Sequence, residues 1–303
     1  MTVYLNNLNE NWVVDRLKNE WQVNNKDLTV LDPNAADVIW LIAPWTWNNV
    51  RKKFLKKKKV ICSIYHIEEF KLSKQYVNDF YKRDKYVNEY HVISKKTESQ
   101  LKKMTDKKIT HIPFWVNQNI FFEIEQKEKL RHKYGLESND YLIGSFQRDS
   151  EGSDPKKPKY IKGPDQFLQI IKHLKASNKN LKIVLTGKRR DYIKNELTKI
   201  GVDYQEFAMV DFNSLNELYN CLDLYIVASR IEGGPQAILE CAITKTPIIS
   251  TDVGVASEIL HTESIFNMNN FEKAKPNTEV AFQNSQKHII PDAFVPYRKL
   301  LST

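Results

Sequence analysis

Short apolar runs alternate with longer amphipathic patterns along almost the whole chain. That alternation restricts it to α/β architecture with parallel sheets. In the first half, strands are expected at 3–5, 28–31, 38–43, 60–65, 90–93 and 109–113, with helices such as 12–21 and 76–88 between them. In the second half, strands are expected at 141–145, 182–186, 204–207, 224–228 and 247–250, and helices at 166–176, 191–200, 214–220 and 235–244. Helix 166–176 places Phe167, Ile170, Ile171 and Leu174 on one face, the spacing of a helix packed on a sheet.

The 303 residues suffice for two ordinary domains. A boundary falls near 114–130, where Phe114-Trp115-Val116-Asn117 closes one α/β run and a charged helix at 125–133 opens the next. The division expected is 1–120, 121–285 and a last segment, 286–303, returning to the first domain. All nine glycines lie at position 135 or later. Tight turns that approach phosphate need glycine, so phosphate chemistry belongs to the second half.

Apolar residues are 41% of the chain and charged residues 27%, which excludes a disordered chain. The net charge is +9, and residues 1–122 alone carry 21 Lys/Arg against 13 Asp/Glu. The densest stretch is Arg51-Lys52-Lys53-Phe54-Leu55-Lys56-Lys57-Lys58-Lys59. It reads either as a solvated helix end or as a contact for an anionic membrane surface or an anionic acceptor. The basic residues are not interleaved with an RNA- or DNA-reading motif, so no nucleic acid is expected.

Cys62, Cys221 and Cys241 form no CxxC pair and sit in apolar runs, the pattern of buried free thiols in a reducing compartment. The opening residues have no basic stretch followed by an apolar one, so no signal peptide is expected. No apolar run approaches the roughly 20 residues that span a bilayer. The expected location is cytoplasmic, or peripheral on the inner face of a membrane.

The most informative segment is Ser229-Arg230-Ile231-Glu232-Gly233-Gly234-Pro235-Gln236-Ala237-Ile238-Leu239-Glu240. It follows an apolar strand. The glycine pair gives an open turn, and Pro235 suits the first position of a helix. Strand, glycine turn and helix N-terminus together make a ready anion site. A carboxylate beside such a site accepts hydrogen bonds from sugar or ribose hydroxyls and does not bind phosphate itself.

This segment resembles the Glu–seven residues–Glu signature of retaining GT-B glycosyltransferases, family 4. The following Cys241 to Gly254 and Ser257-Glu258-Ile259 are similar to the rest of that motif. Asn216 to Leu224 resembles the helix and strand leading into it, and Gly144-Ser145-Phe146-Gln147-Arg148 with Lys162-Gly163 resembles the family's paired Arg and Lys. The likeness runs over roughly 90–260. It implies a GT-B fold, two Rossmann-like domains with parallel sheets facing a central cleft. It also implies hexose transfer from a nucleoside-diphosphate sugar such as a UDP-sugar, with retention, to a saccharide or lipid-linked acceptor.

The roles follow residue by residue. Arg148 and Lys162 would neutralise the donor diphosphate, and Glu240 would accept the ribose hydroxyls. Glu232, Gly233, Gly234, Pro235 and Gln236 would hold donor sugar and phosphate. Gly187, after a strand in Thr186-Gly187-Lys188-Arg189, is either a surface turn or a phosphate contact, and Met209 and Val210 would line the base. His66 is similar to the histidine placed near the donor sugar, whereas His91 has no acidic partner nearby and reads as structural. Trp45 and Trp47, at a strand end, would stack on an acceptor sugar or pack in the core.

The chain departs from the family in two places. Asn7-Leu8-Asn9 after the first strand lacks the usual glycine-rich loop, and the 150–160 insertion is longer than the pattern and is expected to form a mobile loop. No Asp-x-Asp and no zinc spacing occurs, so neither a metal nor a cofactor is expected, the nucleotide sugar being the substrate. Two rival readings are a nucleotide-sugar epimerase of the same fold, which would need acid/base carboxylates in both domains and is kept open by Glu68 and Glu69, and a non-enzymatic polyanion-binding protein.

Overall fold

The computed structural model describes residues 1–6, 13–69, 72–152, 154 and 156–302. Asn7–Asn9, the first residue of the helix expected at 12–21, and Ser153 and Pro155 of the 150–160 insertion lie outside the described residues. The chain forms two compact units, 1–115 with 290–303, and 116–289.

The first unit is a parallel sheet of five strands in simple sequence order: β1 (Val3–Leu5), β2 (Val38–Leu41), β3 (Lys59–Ile64), β4 (Glu89–Val92) and β5 (Lys108–His111). Helices α1 (Val13–Asn24), α2 (Lys52–Lys57), α3 (Lys74–Asp84) and α4 (Lys95–Leu101) make the crossovers. Strands β2 and β4 are buried along their whole length, as expected of strands covered on both faces. The strand expected at 28–31 shrinks to a bridge between Thr29 and Val3 on the outer edge of β1.

Helix α12 (Val295–Ser302) closes this unit's core. Trp21 meets Trp40 edge to face at 5.3 Å and Phe294 at 5.4 Å, and Trp115 meets Tyr297 at 5.1 Å. Such pairs add to the burial energy of large rings. The indole of Trp115 donates to Glu20 at 2.7 Å, and Tyr297 Oη donates to the carbonyls of Ile112 and Pro113. His91 is structural: its ring nitrogens meet Ser63 Oγ and the Ile112 carbonyl, both at 2.8 Å. Burial holds it down to about 4, so it is neutral in the fold.

The second unit is a six-stranded parallel sheet of β6 (Tyr141–Ser145), β7 (Leu181–Thr186), β8 (Asp203–Phe207), β9 (Leu224–Val227), β10 (Ile248–Thr251) and β11 (Ile265–Phe266), in the order β11-β10-β9-β6-β7-β8. The chain runs outward from β6 to β8, returns to place β9 on the other side of β6, and continues to β11. The order therefore reverses between β6 and β9, the position at which open α/β sheets bind ligands at their carboxyl edge.

Two apolar layers cover the sheet. Helix α6 (Pro164–Ser177) and helix α7 (Asp191–Lys199) cover one face, where Phe167, Ile170, Ile171, Ile193 and Leu197 are buried. Helix α8 (Phe212–Cys221), helix α9 (Gln236–Ile243) and helix α10 (Ala256–Ile259) cover the other with α11 (Thr278–Ser285). Helix α5 (Lys127–Lys133) packs on α8, and Arg131 is tied to the Cys221 carbonyl and, at 2.6 Å, to Asp223. All three cysteines are buried free thiols, and burial pushes Cys62 up to about 11 and Cys221 up to about 12. No helix among the described residues is long and apolar enough to cross a membrane.

Candidate functional site

Because every strand of the second unit is parallel, the segments leaving β6, β7, β8, β9 and β10 emerge at one edge. Those segments carry Gln147 and Arg148, Gly187, Met209 and Val210, Ser229 with Glu232, and Gly254 respectively. Lys162 reaches the same edge from the loop joining β6 to α6.

Its turn is bound to the end of β9 by several independent contacts. Gly163 has φ +62°, and a Cβ there would lie 1.7 Å from the Ala228 carbonyl oxygen, so only glycine permits this approach. The amides of Arg230 and Ile231 both donate to the Ile161 carbonyl, at 2.9 and 3.1 Å. The Arg230 guanidinium grips Asp165 with two bonds of 2.7 and 2.6 Å and donates to the Tyr160 carbonyl. That fork geometry is what arginine and carboxylate planes favour.

On this frame the Lys162 ammonium pairs with Glu232 Oε1, where the two side chains keep 21% and 12% exposure. Ser229 Oγ lies 3.2 Å from the same carboxylate oxygen and 3.1 Å from Gln147 Oε1, its one proton serving a single acceptor at a time. Gln147 Nε2 closes the circuit by donating to the Lys162 carbonyl at 2.9 Å. The turn on the other side of Glu232 is equally tight. At Gly254, φ is +55° and an added Cβ would lie 2.3 Å from the Gly233 carbonyl oxygen, so the 253–254 turn packs directly on the glycine pair.

Pro235 is the N-cap of α9 (φ −56°, ψ 117°), one position earlier than its expected place inside the helix. The first amides of a helix have no partner within it and carry the positive end of its dipole. Glu240, in the second turn, is 4% exposed, and Tyr219 Oη donates to its Oε2 at 2.8 Å. Phe146 and Tyr225 surround Tyr219, with ring centroids 5.0 and 5.5 Å away, and Tyr225 Oη accepts from the Phe146 amide.

Arg148 is partly buried. Burial and the nearby Arg189 hold its guanidinium below the ordinary arginine value, against the pull of Glu151. Behind it, Arg190 is fully buried, its Nε 3.3 Å from Asp149 Oδ2 and its Nη2 3.2 Å from Ser145 Oγ. Burial raises the Asp149 carboxyl and lowers the Arg190 guanidinium, each against the other's charge. At the base of the 150–160 insertion, Ser150 bridges Pro158 and the Lys159 amide donates to the Asp149 carbonyl at 2.7 Å.

Gly187 has φ +96°, and an added Cβ there would make an ordinary contact of 3.5 Å with the Phe146 carbonyl oxygen. Met209 is exposed, whereas Val210 is partly buried against the core. In the first unit, His66 follows β3 with Nε2 3.3 Å from Glu68 Oε1, and Glu69 lies 3.9 Å from Lys103 Nζ. Trp45 is 50% exposed and leans on Tyr65, their centroids 5.9 Å apart. Trp47 corrects the stacking expectation: it lies in the 3₁₀ turn Pro44–Asn49, is 3% exposed and packs at 6.0 Å on Tyr86. It is a core side chain, with no face left for a sugar. Among the described residues no three His, Cys, Asp or Glu side chains form a metal-holding group.

Gln147, Ser229, Tyr219, Asp165 and Arg230 were not singled out in the sequence for this region. Ser229 and Arg230 carried one usable signal, their place directly after the strand at the switch point.

Residues 156–277 match the family described as glycosyl transferases group 1. An uncharacterized glycosyltransferase of Methanocaldococcus jannaschii is 25% identical over 46% of this chain, and the lipopolysaccharide core biosynthesis mannosyltransferase LpsB of Rhizobium meliloti is 23% identical over 44%. The chain spans 34% and 38% of the lengths of these curated relatives. Solved structures cover far more of it. Anabaena HepE, crystallised with UDP and glucose, superposes with a TM-score of 0.76 at 12% identity over 99% of both chains. A sucrose-phosphate synthase from Thermosynechococcus elongatus gives 0.69 at 13% identity, over 98% of this chain and 81% of its own. The architecture is the GT-B fold of these solved structures, and residues 156–277 are similar to glycosyl transferases group 1.

Proposed function

We propose that this chain transfers a hexose from a nucleoside-diphosphate sugar to a saccharide or lipid-linked acceptor, with retention at the anomeric carbon and without a divalent metal. The observation that carries this reading is the Lys162–Glu232 pair at the β6/β9 switch point, beside the start of α9. Cation, carboxylate and helix N-terminus together suit a ligand that is anionic at one end and rich in hydroxyls at the other.

In this reading Lys162, Arg148 and the α9 dipole stabilise the charge that grows on the departing diphosphate. Gly233, Gly234, Pro235 and Gln236 line the diphosphate and sugar, and Gly187 borders the same edge. Glu240, aligned by Tyr219, accepts the ribose hydroxyls, and Met209 and Val210 flank the base. The bond from the anomeric carbon to the phosphate oxygen breaks as the bond to the acceptor oxygen forms on the same face. The acceptor proton passes to the departing phosphate oxygen. His66 is assigned to donor turnover and Trp45 to acceptor stacking.

The complexes of HepE with UDP and glucose and with UDP-glucose support a UDP-sugar donor. The role named for LpsB supports a lipid-linked or envelope saccharide as acceptor. An anionic membrane surface is the proposed partner of the lysine run. Lys56 and Lys58 join Lys85 around an open basin of about 410 Å³, which gathers positive charge from two elements.

The test is release of nucleoside diphosphate from UDP-, GDP- and ADP-sugars without acceptor. Slow hydrolysis of one donor, abolished in Glu240→Ala and Arg148→Ala, is the expected result. No release and no binding of any donor would sink the reading and favour polyanion binding.

A further inference from the structure

The cation at the heart of the crevice is already paired. The Lys162 ammonium meets Glu232 Oε1, and the same oxygen lies 3.2 Å from Ser229 Oγ. Ser229 is fully buried and braced by Gln147, which is itself bonded to the Lys162 carbonyl. The circuit Lys162–Glu232–Ser229–Gln147–Lys162 fixes a negative charge at the spot where the reading above places a diphosphate.

An ionised carboxylate offers acceptors only, and so does a bare diphosphate. Both compete for one ammonium, and their mutual repulsion is little screened in a partly buried site. A sugar still attached to the diphosphate changes this balance, because its hydroxyls donate to the carboxylate while the phosphates take the ammonium. After transfer those donors leave with the product sugar, and the nucleoside diphosphate faces Glu232 with nothing to satisfy it.

Resting on that donor-site reading, we infer that Glu232 is a specificity-determining residue that favours the nucleotide sugar over its nucleoside diphosphate product and so promotes product release. The discrimination is repulsive: it works by making the wrong ligand worse. A carboxylate that only braced Lys162 would weaken every anionic ligand when altered. One that repels bare diphosphate strengthens some of them.

Glu232→Gln separates the two cases, because the amide keeps an acceptor oxygen and loses the charge. Calorimetric titration at one fixed ionic strength would compare pyrophosphate, UDP and UDP-glucose on both proteins, with thermal unfolding as the check on folding. If the amide variant does not fold, Glu232→Ser carries the same comparison. The variant should bind pyrophosphate and UDP about tenfold more tightly, while UDP-glucose stays level or weakens. The UDP inhibition constant should fall in parallel. Equal weakening of all three ligands, or no change in pyrophosphate and UDP, would overturn the inference and leave the donor site standing. A wild-type protein that binds none of the three would overturn the donor site itself.

Discussion

Gly163→Ala is expected to destabilise the second unit by at least about 3 kcal/mol, the sum of left-handed strain and overpacking against backbone. The backbone at 163 sits at φ +62°, and the new methyl would lie 1.7 Å from a carbonyl oxygen of β9's exit. No side chain can swing away to relieve it, because the opposing atom is main chain. Gly135 supplies the control. Its φ is +63°, yet nothing lies within 4 Å of an added Cβ. Gly135→Ala should therefore cost only the conformational strain, about 1 kcal/mol. Denaturant unfolding of the two variants measures the difference directly. Equal costs would show that the 160–163 turn is not held against β9. Because the same turn carries Lys162, the loss of stability in Gly163→Ala should come with loss of donor turnover.

Lys162→Ala separates chemistry from folding. The Lys162–Glu232 pair is largely buried, at 21% and 12% exposure, so removing the ammonium leaves the Glu232 carboxylate without its cation and is expected to cost about 1–3 kcal/mol. On the donor-site reading, the same ammonium meets the diphosphate as its charge develops. Removing one preorganised group of that sort costs roughly a hundredfold to a thousandfold in kcat. The expected profile is a protein that still folds, its unfolding free energy lowered by no more than about 3 kcal/mol, with turnover reduced roughly a hundredfold to a thousandfold. A loss of only a few-fold would assign the charge stabilisation to Arg148 and the α9 dipole. The contrast with Gly163→Ala is the useful part: one change removes the frame, the other removes what the frame holds.

Much of this arrangement was legible in the sequence where the information is local. The stretch from Leu224 to Glu240 announces a strand, a turn and a helix within seventeen residues, and β9, the turn and α9 follow in that order. The face of α6 carrying Phe167, Ile170 and Ile171 was readable for the same reason, since helical period alone determines it. The misses are those in which distant partners decide. Gln147 acts through Lys162, 15 residues away, and through Ser229, 82 residues away. Tyr219 meets Glu240 across 21 residues, and nothing in its own neighbourhood marks it as anything but a core aromatic. For Trp47 the sequence left sugar stacking and core packing both open, and the turn at Pro44–Asn49, which packs the indole on Tyr86, decides for the core. Residues 28–31 are apolar enough for a strand, yet only Thr29 pairs with β1, and sequence period cannot reveal how far a distant partner engages.

The most direct test of the central claim is diffraction from crystals grown with UDP. The account predicts diphosphate oxygens within hydrogen-bonding distance of Lys162 Nζ at the start of α9, with ribose hydroxyls on Glu240. Nucleotide bound elsewhere, at the Lys56–Lys58–Lys85 basin for example, with the β6/β9 crevice empty, would contradict it.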